Sequence, residues 1–292
     1  MSNAGVDKEG KLLKLKNDFV KAFDENGNGQ IDIDDLIIKC MRIPGIKVDR
    51  EAFLRKEFAN KFSSEVIEKA IQENPMKAKI KPEAIDKIAD DVIKFEQLQV
   101  SGVSAALSAP GGWALLATIP ADIAQYYGYL LKTMQKLLYL YGYPQLDLEY
   151  EGELLDSESM RILIACLGVM FGVGTANKLI HRLSNGLAKG LSKKFMRTAV
   201  TKTIWYPALK NICNFFGYSL TKEAFEAVIK KAVPVVGFVI GGTVTYFSFG
   251  PCCKKLQEQL KDTIFSNPDY VEPTDDIDED GDIVIELQDE EN

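Results

Sequence analysis

Three observations predict an all-α protein. Apolar residues recur at three- and four-residue steps along most of the chain. Strand-like alternation of apolar and polar residues is confined to "DIVIEL", residues 282–287, inside an acidic tail. Gly and Pro fall where such helices would stop. With 292 residues, 46% of them hydrophobic, the chain can bury one large core or two smaller ones.

In chain order, Leu12, Leu15, Phe19 and Phe23 mark one face of a first helix over residues 11–23. The polar stretch "FDENGNGQIDIDD", residues 23–35, follows at once, and eight of its thirteen residues carry side-chain oxygens. Leu36, Ile37 and Met41 resume helical spacing until "IPG" stops it near Pro44. Two more helical patterns cover 50–62 and 64–72. A break at Pro75 leaves Ile80 isolated in a loop, and a helix restarts after Pro82 with Ile85, Ile88, Val92 and Phe95 as its apolar side. Pro120 and Asp122 suit the first turn of the next helix, where a missing N–H costs nothing and a carboxylate meets the positive end of the dipole. That helix continues through "YLLKTMQKLLYLYGYP", with Leu130, Met134, Leu137, Leu138 and Tyr141 along one side and Gly142 and Pro144 closing it. Gly168, Gly172 and Ala176, and again Gly237 and Gly241, recur at one-turn steps that let helix backbones approach closely.

Three stretches lack charge altogether: residues 97–121, 162–177 and 232–253. Their lengths allow either buried helices or embedding in a membrane, and hydropathy alone leaves both open because each is rich in small residues.

Charge is segregated. The formal net value is -7, yet residues 178–231 hold eleven Lys or Arg against two acids, whereas 268–292 hold twelve acids and no base. The middle suits an anionic membrane surface or an acidic protein partner, and the tail suits water. Five cysteines, odd in number and without a CxxC pair, point to a reducing compartment with neither a zinc site nor a disulfide framework. His181 is the single histidine and falls in a basic run, which fits a helix surface better than catalysis. The N-terminus turns charged at once and shows no secretory h-region, so a cytoplasmic location with membrane association is expected.

The polar stretch matches a twelve-residue cation loop. Asp24, Asn26, Asn28, Gln30 through its carbonyl, Asp32 and Asp35 take positions 1, 3, 5, 7, 9 and 12, with Gly29 at the turn and Ile31 at position 8. This resembles an EF-hand. Asp35 stands where the motif carries a bidentate Glu and positions 3 and 5 are neutral amides, so weak Ca²⁺ binding with Mg²⁺ as competitor is expected. A second loop over 73–84, placed by Ile80 opposite Ile31, has no ligand set but can pair structurally.

The segment "SGVSAALSAPGGWALLATIPADIAQYYGYLLKTMQKLLYLYGYP" and the later "AVPVVGFVIGGTVTYFSFGPCCKKL" resemble the two signature regions of the EcsC family, over roughly two thirds of the chain. The resemblance implies a helical body and supplies no chemistry. The expected organisation is an EF-hand-like region over 9–60, an EcsC-like body over 61–265 and an acidic disordered tail over 266–292. "SAPGGW" lacks the Lys-Ser/Thr ending and preceding strand of a phosphate loop, and no nucleic-acid module is visible, so neither nucleotide nor nucleic acid is expected. The chain therefore reads as a calcium-binding regulatory or scaffold protein; the alternatives are an enzyme with a site near Asp122, Tyr126 and Tyr127, or a small integral membrane protein.

Overall fold

The computed structural model describes residues 20–21, 24, 27, 33–108, 112–148, 158–189, 212–215 and 237–271, with backbone alone at 34, 105–108, 112–120, 122, 158 and 237–244. Among these the protein is helical and carries no strand, as the periodicity predicts. The helices are α1 (Ile33–Met41), α2 (Arg50–Phe58), α3 (Ser64–Gln72), α4 (Pro82–Ser108), α5 (Gly112–Leu140), α6 (Glu158–Phe171), α7 (Gly174–Ala188) and α8 (Gly237–Leu260).

Several starts and stops have visible chemical causes. Asp49 caps α2 by accepting the Ala52 N–H at 2.7 Å. Pro82 opens α4, where its missing N–H is harmless. Gly142 ends α5 in the left-handed region at φ +94°, so the Tyr143 N–H turns back to the Leu138 carbonyl at 3.0 Å.

Two expectations need correction. Helix α5 begins at Gly112, so Pro120 and Asp122 lie inside it and not in its first turn. Gly172 has φ +80° and terminates α6, with the Val173 N–H returning to the Gly168 carbonyl at 2.8 Å; its freedom of φ, not its lack of a side chain in a helix face, is what the chain uses. Gly168 does serve close approach, since a Cβ there would stand 2.7 Å from the Cβ of Ala176 and 2.9 Å from Ile212. Gly237 and Gly241 lie where only the α8 backbone is described.

Helices α4, α5 and α8 form the central layer, α6 and α7 pack together beside α8, and α1 lies on α5. The buried core is continuous from Ile33 through Leu130, Leu163 and Leu256 to Leu260. Leu130, Met134, Leu137, Leu138 and Tyr141 are all buried, as their spacing predicts. Phe95 is not: Ile93 takes the inward position and the Phe95 ring is 55% exposed. Past Leu260 the chain stays on the body as far as Tyr270, whose ring stacks on His181 at 6.1 Å and whose hydroxyl accepts from Asn185 at 3.1 Å. The acidic tail from 272 onward lies outside the described residues.

Candidate functional site

The cation loop is described only in part. Val20 and Lys21 are helical, and the Asp24 N–H donates to the Val20 carbonyl at 2.8 Å, so Asp24 stands at the end of the incoming helix. Gly27 is left-handed at φ +74°. Helix α1 opens at Ile33, immediately after position 9, which places Asp35 in its first turn, 1% exposed. Asn26, Asn28, Gln30 and Asp32 fall outside the described residues, as does Ile31. Among the described residues no group of three His, Cys, Asp or Glu side chains is placed to hold a metal.

Helix α1, which leaves the loop, is firmly seated. Ile33, Leu36, Ile37 and Cys40 are buried on its inward side. The Cys40 thiol donates to the Ala124 carbonyl of α5 at 3.2 Å, and burial pushes its pKa up to about 12, so it is a packing group and not a nucleophile. The linker after α1 is clamped on the same helix. Gln135 accepts the Val48 N–H at 3.0 Å and donates to the Ile46 carbonyl at 3.0 Å, while Ile46 rests 3.2 Å from where a Cβ on Gly128 would be. The loop's outgoing helix is thus tied to α5 at its C-terminal end and through the linker that follows.

The loop over 73–81 sits between α3 and α4, as expected. Asn74 accepts the Lys77 N–H at 2.7 Å, Lys79 is left-handed at φ +60°, and Ile80 is buried. Its pairing with Ile31 lies outside the described residues.

In the body, the tyrosines weighed for catalysis are held as aromatic packing. Tyr126 donates to the Ser248 hydroxyl at 3.1 Å and packs edge-on against Phe249, while Tyr127 stacks on Phe171 at 5.9 Å. Burial raises the Tyr126 phenol well above its ordinary range, with the Ser248 bond opposing this, so ionisation is disfavoured. A cleft of about 520 Å³ is lined by Lys47, Val48, Asp49 and residues 145–148, and its titratable side chains are exposed.

Two buried charged residues carry no periodic signal in the sequence and emerge only in three dimensions. Arg50 is 8% exposed, and its guanidinium donates to the carbonyls of Ile71 at 2.6 Å, Ala70 at 3.2 Å, Glu73 at 3.4 Å and Tyr143 at 2.9 Å. It closes the C-terminus of α3, where the helix dipole favours a cation, and ties α2 to the end of α5. Burial lowers its pKa, and the nearby Tyr139 opposes that. Glu96 on α4 is fully buried, pairs with Lys136 at 2.5 Å and lies 4.0 Å from Lys132, both on α5.

No family model, curated protein or solved structure matches this chain.

Proposed function

We propose that this chain is a calcium-responsive regulatory or scaffold protein, with an EF-hand-like loop joined to an EcsC-like helical body that associates with a membrane or protein partner. The observation that carries this reading is the seating of α1. The helix whose first turn carries the loop's last ligand position, Asp35, is bonded to α5 through Cys40, and its linker is clamped by Gln135. A change in the angle of α1 on cation binding therefore bears directly on the longest helix described.

Asp24, Asn26, Asn28, the Gln30 carbonyl, Asp32 and Asp35 would hold the ion. Three carboxylates and a short position 12 place the expected Kd at about 10⁻⁵ to 10⁻³ M, with Mg²⁺ competing. Calorimetry on the full chain tests this. Asp24→Ala is expected to abolish the binding heat and Asp35→Glu to favour Ca²⁺ over Mg²⁺. No heat from the wild type at millimolar Ca²⁺, or equal binding by Asp24→Ala, overturns the reading.

A further inference from the structure

The polar bonds between the three central helices fix their register. Asp86 of α4 meets Lys261 just past α8 at 3.3 Å and accepts from Tyr141 at the end of α5 at 2.6 Å. Further along α4, Asp90 meets Lys254 and accepts from Gln257 at 2.8 Å, and Glu96 meets Lys136. Gln97 then donates to the Tyr246 carbonyl of α8 at 2.5 Å, and Tyr126 of α5 reaches Ser248. Helix α4 is thus antiparallel to both α5 and α8.

This register gathers the uncharged stretches at one end. Beyond Gln97, α4 runs to Ser108 without an ionisable charge; α5 carries none from Gly112 to Ala121; α8 carries none from Gly237 to Cys253. Past the Gln97–Tyr246 contact, α4 and α8 extend roughly 14–17 Å at 1.5 Å per residue, and the charge-free run of α5, which begins one turn further on beyond Asp122, is of similar length. Half the ~30 Å hydrocarbon thickness of a bilayer is about 15 Å. The charge-free lengths of α4 and α8 match the depth of a single leaflet, and the run 112–121 of α5 matches it with Asp122 at its outer edge. No described helix is long and apolar enough to cross a membrane.

The side chains at the boundary fit the same surface. Leu98 is 63% exposed and Phe247 70%, with Tyr246 beside them and the exposed Gln99 at the same level. Three polar side chains here are bonded to backbone carbonyls: Gln97 donates to Tyr246, the Ser101 hydroxyl to Gln97 at 2.6 Å, and the Ser248 hydroxyl to Thr245 at 3.3 Å. After the uncharged stretch of α5 come Asp122 and then Tyr126, Tyr127 and Tyr129, followed by Lys132, whose ammonium lies 5.5 Å from the Tyr129 ring. Half-wet tyrosines followed by lysine are the composition of a membrane interface.

We infer that the charge-free end of α4, α5 and α8 inserts into one leaflet of a lipid bilayer, with Leu98, Tyr246 and Phe247 at its edge. This goes beyond the regulatory reading by naming the surface and its ligand. It also stands apart from that reading, because apolar insertion needs neither cation nor anionic lipid.

The test floats the full chain with neutral phosphatidylcholine vesicles in 1 M NaCl with chelator, conditions that suppress both attraction by the basic run and cation binding. A Trp205→Phe variant leaves Trp113, in the first turn of α5, as the sole tryptophan. The wild type is expected to float, acyl-chain-brominated lipid to quench Trp113 at least twofold, and Leu98→Glu with Phe247→Glu to reduce partitioning at least tenfold. Circular dichroism of the double variant should match the wild type, since both side chains are exposed. Failure of the wild type to float, flotation without quenching, or equal flotation by a folded double variant overturns the proposal. So does light scattering that shows the wild type self-associating through this end in place of lipid binding.

Discussion

The two ends of the central layer are built from the same three helices and held by different physics. At one end α4, α5 and α8 are joined by specific polar bonds: Asp86 with Tyr141 and Lys261, Asp90 with Lys254 and Gln257, Glu96 with Lys136. Toward the other end the bonds involve no charged side chain, Gln97 with the Tyr246 carbonyl and Tyr126 with Ser248, beside one close approach. A Cβ on Gly250 would stand 2.9 Å from the Gln97 amide, so the bare backbone of residue 250 leaves room for that side chain against α8. The polar end specifies register and the charge-free end follows it. Specificity and hydrophobicity have been separated along one bundle.

The largest break of this contrast is expected at Arg50. Arg50→Ala removes donors to four carbonyls, at least two of them buried, and uncaps α3. A loss of about 3–5 kcal/mol in urea unfolding is expected; a loss below about 1 kcal/mol would show that water replaces the guanidinium.

Next is Glu96→Gln, which leaves the nearly buried Lys136 facing a neutral amide. We expect about 2–3 kcal/mol, with Lys136→Met restoring part of it in a double-mutant cycle. Additive effects would break the assignment of the pair as one unit.

Gly168→Val probes close packing where α6 meets α7 and should cost about 1–3 kcal/mol through overpacking against Ala176 and Ile212. Gly250→Ala is expected to cost less, about 1 kcal/mol, because the crowded neighbour is the far end of a flexible glutamine. Equal costs at the two sites would contradict that difference.

The smallest effect concerns pH. Burial tends to raise the Asp90 pKa, but the bonds from Lys254 and Gln257 outweigh it and hold the carboxyl below its ordinary value. A depressed carboxylate stabilises the fold fully above the unfolded pKa of about 3.9 and loses that contribution as pH falls through the folded value. The pair is well exposed, so Asp90→Asn should cost only about 0.2–1 kcal/mol at pH 7 and flatten the acid limb below about pH 4. An unchanged acid limb would sink this.

Helix periodicity made most of the core legible. The Leu130–Tyr141 face and the stop at Gly142 follow directly from spacing and from the φ that glycine permits. Phe95 misled because the α4 seam drifts around the helix and passes inward through Ile93, which spacing at i and i+3 does not distinguish. Pro120 misled because a proline reads as a helix start, whereas the α5 backbone continues across it from Gly112. Arg50 and Glu96 were invisible, since a charged residue announces solvent until the fold supplies carbonyls or lysines around it. Of the cation loop, the sequence pattern places the ligand types, and the structure adds the seat of Asp35 at the head of α1.

Pro251 interrupts α8 at the level where the two ends meet. It offers no N–H to the Phe247 carbonyl, one turn earlier, so the hydrogen-bond ladder of α8 has a missing rung between its uncharged and charged runs. Pro120 removes a rung from α5 in the same way. Helices with such gaps need not open as single units: amides 252–260 belong with the polar seam and those of 237–250 with the other end. Hydrogen exchange should therefore find two protection classes within one continuous helix, divided at residue 251.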